Sequence, residues 1–365
     1  MVEIHKLLGE HSHNEFKAFR DDEAGLRGFI AIHDTTLGPA AGGTRRYAFE
    51  SEEEAIIDVL RLSRAMTYKY AISGINMGGA KGVIWVDDED QRSEDLYRAY
   101  GRMVDSFGGR FVTGADVGTD QEAMRWIGDE TDYIIGLPEQ FDHPEGYHGG
   151  GLGVIKAMEA CCELEYDGDR DLADLHVTVQ GVGEMGTSIV RYLHERGAQV
   201  TVSDINEEQI DYLEDEYGVG SVDPEGVYDV DCDVFAPSAL GFVLNDDTIP
   251  RLQCDIVCGA ANNQLDDEER HGTMLQEEGI LYAPDYLANS GRTIDDTDLL
   301  RKGGYKHTRA RAMIDGIYDR MLTIGRRADD EGRPTYEVAN DVAQQRIDAM
   351  KTMRQKVHET RKPQW

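Results

Sequence analysis

Residues 176–190 read HVTVQGVGEMGTSIV, and this stretch decides the fold. His176–Gln180 has the pattern of a short strand, Gly181, Gly183 and Gly186 follow at once, and apolar residues then recur at helical spacing from Met185 to Arg196. Each glycine has its own task at such a junction: a tight turn, close approach of the backbone to a pyrophosphate, and close packing of helix on sheet. The peptide groups of Val182, Gly183, Glu184 and Met185 open the helix, where N–H donors face outward toward anions. A second strand, Gln199–Ser203, ends in Asp204, 18 residues beyond Gly186. A carboxylate at that tip accepts hydrogen bonds from the adenosine ribose hydroxyls and repels the extra phosphate of NADP. The stretch therefore implies a Rossmann-type dinucleotide-binding domain that holds NAD through Gly181, Val182, Gly183, Glu184, Met185, Gly186 and Asp204. The competing reading of Asp204 is a helix cap, since Glu207 and Glu208 follow it.

Outward from this junction the alternation continues. A helix is expected over Glu207–Tyr217, and short strands at Val234–Ala236, Ile256–Cys258 and Ile280–Ala283. Strands alternating with helices at this spacing build a doubly wound parallel sheet. Upstream, Leu26–His33 reads as a strand, and Ser51-Glu-Glu-Glu54 supplies a capping box for a helix carrying Ile56, Val59, Leu60 and Met66. Gly82–Val86 reads as a buried strand, a helix after Ser93 carries Leu96, Tyr100, Met103 and Phe107, and Phe111–Thr113 returns to strand. Between the two series, DHPEGYHGGGLG (142–153) is dense in turn formers and reads as an interdomain crossing followed by a helix over Val154–Leu164. Two amphipathic helices, Lys306–Asp329 and Thr335–Lys356, come last. The expected class is α/β with two domains: a mixed α/β substrate domain over 1–141, to which 330–365 return, and the dinucleotide domain over 142–329.

Composition narrows the function. The 365 residues hold 71 Asp+Glu against 37 Lys+Arg, a net charge of −34. Such a field repels phosphate backbones and anionic membranes, so neither nucleic acid nor a membrane is an expected partner. The acids are spread along the chain and 40% of residues are hydrophobic, which reads as an acid-coated globular protein suited to a salt-rich cytoplasm. Met1–Phe16 has no continuous apolar stretch of the secretory kind, and no run is long enough to span a membrane, so the expected location is cytoplasmic. Five cysteines form no disulfide framework, and Cys254/Cys258 lack the further ligands of a metal site, so buried thiols and no metal are expected.

Against this acidic background, residues 41–82 hold six basic groups (Arg45, Arg46, Arg61, Arg64, Lys69, Lys81) and five acids, a local inversion suited to a small anionic substrate. Lys81 lies in GINMGGAKGVI, where neighbouring glycines leave room for a ligand. The spacing is not that of a phosphate loop, and no Ser or Thr follows the lysine.

The segments Leu37-Gly-Pro-Ala-Ala-Gly-Gly-Thr44, Met66-Thr-Tyr-Lys69, Gly78-Gly-Ala-Lys81, Asp116-Val-Gly-Thr119, Asn262-Asn-Gln-Leu265 and Ala283-Pro-Asp-Tyr-Leu-Ala-Asn289 resemble, in order, those of the leucine/phenylalanine/valine branch of the glutamate dehydrogenase superfamily. The resemblance implies oxidation of an L-amino acid by NAD and hydrolysis of the imine to a 2-oxo acid and ammonia. It implies that Lys69 holds the substrate carboxylate, Lys81 is the acid/base acting on water, and Asp116 handles the substrate amine. Acid/base work by a lysine near neutrality requires a neighbouring cation such as Lys69 and exclusion of water. Gly42, Gly79 and Gly114 are implied at the substrate, Asn289 where the cofactor domain meets it, and Asn262 at the cofactor. Family members carry Thr-Ala-x-Gly-Val after the crossing; here the stretch is Gly150-Gly151-Leu152-Gly153-Val154, which lacks the hydroxyl. The run reads as a hinge, and Gly150→Thr as a change that tightens NAD binding.

Small Ala41 and Gly114, with Ile314 and Ile317 on the far wall, favour a branched-chain or aromatic side chain. Glutamate, the alternative substrate, is disfavoured by the GPAAGG loop and the short chain. A non-catalytic NAD-binding sensor on the same fold is the second alternative, opposed by the presence of both lysines and Asp116. A 2-hydroxy-acid oxidoreductase would need a histidine paired with a carboxylate, and His143 and His148 read instead as solvated loop residues. Family members are homo-oligomers, so more than one copy is expected.

Overall fold

The computed structural model describes residues 3–10 and 12–361. The chain forms two units: residues 1–142, 299–305 and 343–365 belong to one, and residues 143–298 and 306–342 to the other. The expected segments differ from these in three places. The crossing falls after Asp142, not after Phe141. The return to the first unit begins at Ala343, not at residue 330, and Leu299–Tyr305 also belongs there. Residues 362–365 of the expected return lie outside the described residues.

In the first unit the elements run α1 (Ile4–Glu10), β1 (Glu15–Asp21), β2 (Leu26–Asp34), β3 (Ala40–Tyr47), α2 (Glu52–Ile72), β4 (Gly78–Trp85), α3 (Glu94–Asp105), β5 (Phe111–Ala115) and α4 (Gln121–Gly128). They build a five-stranded mixed sheet in the order β1-β2-β4-β3-β5. The β3·β4 and β3·β5 pairs are parallel, and the other two are antiparallel. Helix α2 begins where expected, with the Ser51 hydroxyl accepting from the Glu54 N–H at 3.2 Å, a cap worth about 1 kcal/mol. The box is not reciprocal: the Glu54 carboxylate reaches past Ser51 to the Glu50 N–H at 2.8 Å. Ala55, Ile56, Val59 and Leu60 of α2 pack with Phe29, Ala31 and Val83 of the sheet. Leu96, Tyr97, Tyr100 and Val104 of α3 pack with Ile30, Ile32 and Ile84. The sheet is thus buried between two layers of helix.

The second unit runs α5 (Gly149–Tyr166), β6 (His176–Gln180), α6 (Glu184–Glu195), β7 (Gln199–Ser203), α7 (Glu207–Tyr217), β8 (Gly220–Ser221), β9 (Val234–Pro237), β10 (Ile256–Val257), α8 (Glu268–Glu277), β11 (Leu281–Tyr282), α9 (Asp285–Ala288), α10 (Gly291–Asp298) and α11 (His307–Glu331). Helix α12 (Thr335–Arg361) begins in it. All six strands are parallel in the order β11-β10-β9-β6-β7-β8. Counted from β6 this is the 3-2-1-4-5-6 order of dinucleotide-binding sheets, with the switch in direction between β6 and β9.

The glycine-rich crossing departs from expectation. Gly149, Gly150, Gly151 and Gly153 are helical, in the opening turns of α5, and all are buried. An added Cβ would lie 1.8 Å from the Asp295 carboxylate at Gly149, 2.6 Å from the Met185 sulfur at Gly150 and 2.1 Å from the Ser188 hydroxyl at Gly151. The run lets α5 pack without side chains against α6 and α10; it is a packing surface, not a loop hinge. A threonine at 150 would have to displace the Met185 thioether, which already fills the space its first carbon would take.

Candidate functional site

In the first unit the site is built on β3, β4 and the turn after β5. Lys81 lies in the middle of β4 and is 4% exposed, so its ammonium needs a counter-ion within the protein. Nζ donates to Asp116 Oδ2. Asp116 is held by its own turn: its N–H donates to the Thr119 hydroxyl at 2.9 Å, and that hydroxyl donates to the Thr44 carbonyl at 2.6 Å. Gly118 allows this turn, with φ +73° and the Arg46 carbonyl 2.2 Å from where a Cβ would stand. Burial, the largest influence on the Asp116 carboxyl, pushes its pKa up. The Lys81 ammonium, the Arg45 guanidinium and the Val117 N–H outweigh it and hold the carboxyl down at about 2.

This depression has a consequence for stability. Asp116 falls from an ordinary 3.8 to about 2, so the pair's contribution is complete above pH about 4 and is lost as the pH falls through about 2. Denaturation midpoints measured from pH 5 to pH 2 should therefore fall more steeply in the wild type than in the Lys81→Met/Asp116→Leu double variant. Parallel curves would show that the pair adds no acid-labile stability.

The expected glycines act differently from one another. Gly79 lets β4 touch α2: a Cβ there would stand 2.2 Å from the Thr67 nitrogen and 2.5 Å from the Ser63 carbonyl. Lys69 sits two residues beyond Thr67, half-buried in the last turn of α2, with its carbonyl accepting from the Ser73 hydroxyl at 2.6 Å. Gly42 lies against the Ala80 carbonyl, which would stand 1.7 Å from its Cβ. At Gly114 a Cβ would meet only Ile135, at 3.5 Å, so nothing there demands glycine. Ala41 is fully buried in β3, and Ile314 and Ile317 are fully buried in α11 of the second unit.

Beneath Lys81 a buried hydroxyl cluster, absent from the sequence-based expectations, fixes the strands. Thr44 Oγ1 lies 2.6 Å from both the Tyr100 hydroxyl and Thr113 Oγ1. Gly82 leaves the space that the Tyr100 hydroxyl fills, 2.0 Å from where its Cβ would be.

In the second unit the glycine triad joins β6 to α6. Gly181 has φ +90°, and a Cβ there would strike Ala239 at 2.4 Å. The Gly181 carbonyl would stand 1.9 Å from a Cβ on Gly186, so α6 sits directly on the turn. Gly183 has no neighbour within 4 Å of an added Cβ, the open approach a pyrophosphate needs. Asp204 Oδ2 accepts from the Val182 N–H at 2.7 Å and Oδ1 from the Asn206 N–H at 2.9 Å. Asp204 therefore ties the tip of β7 to the fingerprint turn, and each oxygen keeps capacity for a further donor. It is not the helix cap; Asn206 is, accepting from the Gln209 N–H at 3.3 Å. A cavity of about 510 Å³ opens beside the turn, lined by Val182, Gly183, Glu184, Asp204, Asn206 and Gln209 among others.

Asn262 and Asn289 meet, with Asn289 Nδ2 donating to Asn262 Oδ1 at 2.8 Å and to the Ala260 carbonyl at 3.1 Å. Asn289 Oδ1 is buried without a hydrogen-bond partner among the described residues. His148 is not a solvated loop residue. It caps α5, with Nδ1 accepting from the Gly151 N–H at 3.1 Å, and its other nitrogen lies 3.2 Å from Glu184. The His148 ring beside Glu184 holds that carboxyl below the usual range. His143 also has a partner, lying 4.0 Å from the buried Asp295 carboxylate. The cysteines are free thiols, and burial pushes that of Cys162 up to about 12. Among the described residues no cluster of three or more His, Cys, Asp or Glu is placed to hold a metal ion, and no helix is long and apolar enough to cross a membrane.

Residues 12–133 match the family domain described as Glu/Leu/Phe/Val dehydrogenase, dimerisation domain, and residues 205–294 match Glutamate/Leucine/Phenylalanine/Valine dehydrogenase. The chain is 43% identical over 358 residues to leucine dehydrogenase of Thermoactinomyces intermedius, covering 97% of this chain and 96% of that one. It is 40% identical over 362 residues to phenylalanine dehydrogenase of Bacillus thermotolerans, covering 96% and 92%. Among solved structures, L-tryptophan dehydrogenase from Nostoc punctiforme has a TM-score of 0.84 at 39% identity, covering 95% of this chain and 99% of that one.

Proposed function

The chain belongs to the Glu/Leu/Phe/Val dehydrogenase family, and from that membership we propose that it catalyses the NAD-dependent, reversible oxidative deamination of a branched-chain or aromatic L-amino acid to the 2-oxo acid and ammonia. The observation that carries this reading is the Lys81–Asp116 pair, a buried ammonium on β4 in direct contact with a half-buried carboxylate from the turn after β5. The substrate is an α-ammonium carboxylate, so it needs one cation for its acid end and one anion for its amine. Lys69 takes the first role and Asp116 the second, accepting from the substrate amine with the oxygen now bonded to Lys81. Once the substrate amine and Lys81 have each given a proton to solvent, the neutral Lys81 amine takes the proton of the water that attacks the imine carbon and returns it to the nitrogen that leaves as ammonia. The small residues Ala41 and Gly114 support a substrate with a large side chain.

The fit of NAD rests on the open Gly183 approach and on the partnerless Asn289 Oδ1, an acceptor awaiting a donor. Gly181–Gly186 would hold the pyrophosphate, Asp204 the adenosine ribose, and Asn262 and Asn289 the nicotinamide end. Bound NAD would supply the two-electron oxidation at the substrate carbon. NADH formation across a panel of L-amino acids tests the reading: leucine, valine, phenylalanine or tryptophan should outrun glutamate, and activity confined to glutamate or to 2-hydroxy acids would refute it. With Asp204→Ser, kcat/KM for NADP should rise relative to NAD by about tenfold, because the repelling carboxylate is gone. An unchanged ratio would remove Asp204 from cofactor selection.

The N-terminal match is named for dimerisation, and this supports a homo-oligomer. The acid-coated surface supports function in a salt-rich cytoplasm.

A further inference from the structure

The two oxygens of Asp116 have different company. Oδ2 takes the Lys81 ammonium, while Oδ1 accepts from the Val117 N–H at 2.7 Å and from Arg45 Nε at 3.4 Å. Arg45, on β3, is itself gripped from the other side. Its Nη1 donates to Asp58 Oδ2 on α2 at 2.9 Å, and Asp58 Oδ1 accepts from Arg61 at 3.3 Å. The result is a row of alternating charges, Arg61, Asp58, Arg45, Asp116, Lys81, that leads from the surface of α2 to the buried lysine. Side-chain exposure is 51% at Arg61, 11% at Asp58, 23% at Arg45, 20% at Asp116 and 5% at Lys81, so the inner members are poorly screened by solvent.

We infer that Arg45 is a positioning residue for the deamination: it anchors Oδ1 of Asp116, so that Oδ2 alone exchanges between Lys81 and the amine of the substrate. The Lys81 ammonium and the Val117 N–H alone leave the carboxylate rotation about its Cβ–Cγ bond. Holding Oδ1 from a second direction fixes the plane of the group. Asp58 keeps the guanidinium from following the substrate, because Arg45 leaves Asp116 only by breaking a half-buried ion pair. The inference rests on the role given to Asp116 above, and the experiment separates the two.

Arg45→Ala, Arg45→Lys, Asp58→Asn and Asp116→Asn are compared in amino-acid oxidation. With Oδ1 of Asp116 left to the Val117 N–H alone, Arg45→Ala should lower kcat by about tenfold to a hundredfold, with a smaller change in KM, since Lys69 still holds the substrate carboxylate. Added guanidinium ion, far below the concentrations that unfold the protein, should restore part of kcat in Arg45→Ala where sodium chloride of equal ionic strength does not. Arg45→Lys should keep more kcat than Arg45→Ala, and Asp58→Asn should lower kcat in the same direction. If Arg45→Ala does not fold, the lysine and Asp58→Asn variants carry the test through the same split between kcat and KM. Wild-type kcat in these variants, or a loss that neither guanidinium nor lysine relieves, overturns the inference. Wild-type turnover in Asp116→Asn would instead overturn the role of Asp116 itself.

Discussion

Replacing Lys81 by alanine will lower kcat for amino-acid oxidation by about a thousandfold, the scale of a lost acid/base group, and leave the dissociation constant for NAD unchanged. The two halves of this expectation have different grounds. Lys81 is the only partner of Asp116 Oδ2 among the described contacts, so its loss removes both the group that acts on water and the cation that poises the carboxylate. The groups assigned to NAD all lie in the second unit, and Lys81 lies in the first. The fold should persist, because Asp116 keeps Arg45 and the Val117 N–H. Steady-state rates and a titration of NADH fluorescence read the two quantities independently. Substantial turnover in the variant would remove Lys81 from the mechanism, and lost NADH binding would mean that the substitution acts through structure.

Gly79→Ala should destabilise the protein by about 3 kcal/mol, whereas Gly114→Ala should be close to neutral. The resemblance implies both glycines at the substrate, yet their surroundings differ. The Cβ of an alanine at 79 would stand 2.2 Å from a backbone nitrogen and 2.5 Å from a backbone carbonyl of α2, neither of which can rotate away. Relief requires α2 to lift from β4, and that helix carries Lys69. The KM for the amino acid should therefore rise with the loss of stability. At Gly114 the same methyl meets Ile135 at ordinary contact distance. Chemical denaturation of the two variants decides the matter: equal midpoints would show that the close approach at Gly79 is not a constraint.

What the sequence disclosed depended on how local the cause was. The bounds of β6, β7 and α7 are those read from the pattern, because strand alternation, the glycine triad and helix caps act within a few residues. Strand β3, AAGGTRRY, escaped that reading; two glycines and two arginines do not look like a strand, and the segment pairs only because β4 and β5 flank it. The glycines that open α5 read as a hinge because glycine marks turns in one dimension. Their reason is the nearness of α6 and α10, which no local pattern reports. For the site, Lys81 and Asp116 were found through the resemblance and the geometry brings them into contact, but the supports around them were not foreseen. Arg45 showed only as one of six basic groups in a stretch, and Thr119 only as the end of a motif. Their roles follow from the bond of Arg45 to Asp58 and of Thr119 to the Thr44 carbonyl, across separations of 13 and 75 residues.

The central claim is that the α-carbon of an amino acid gives up its hydrogen directly to NAD while the Lys81–Asp116 pair manages the protons of the amine and the water. It is tested most directly by incubating the enzyme and NAD with L-leucine and L-phenylalanine deuterated at the α-carbon and following the label. The account predicts deuterium on the reduced nicotinamide, with ammonia and 2-oxo acid formed in equal amounts. Label released to water, or a reduced cofactor formed without ammonia, would contradict it.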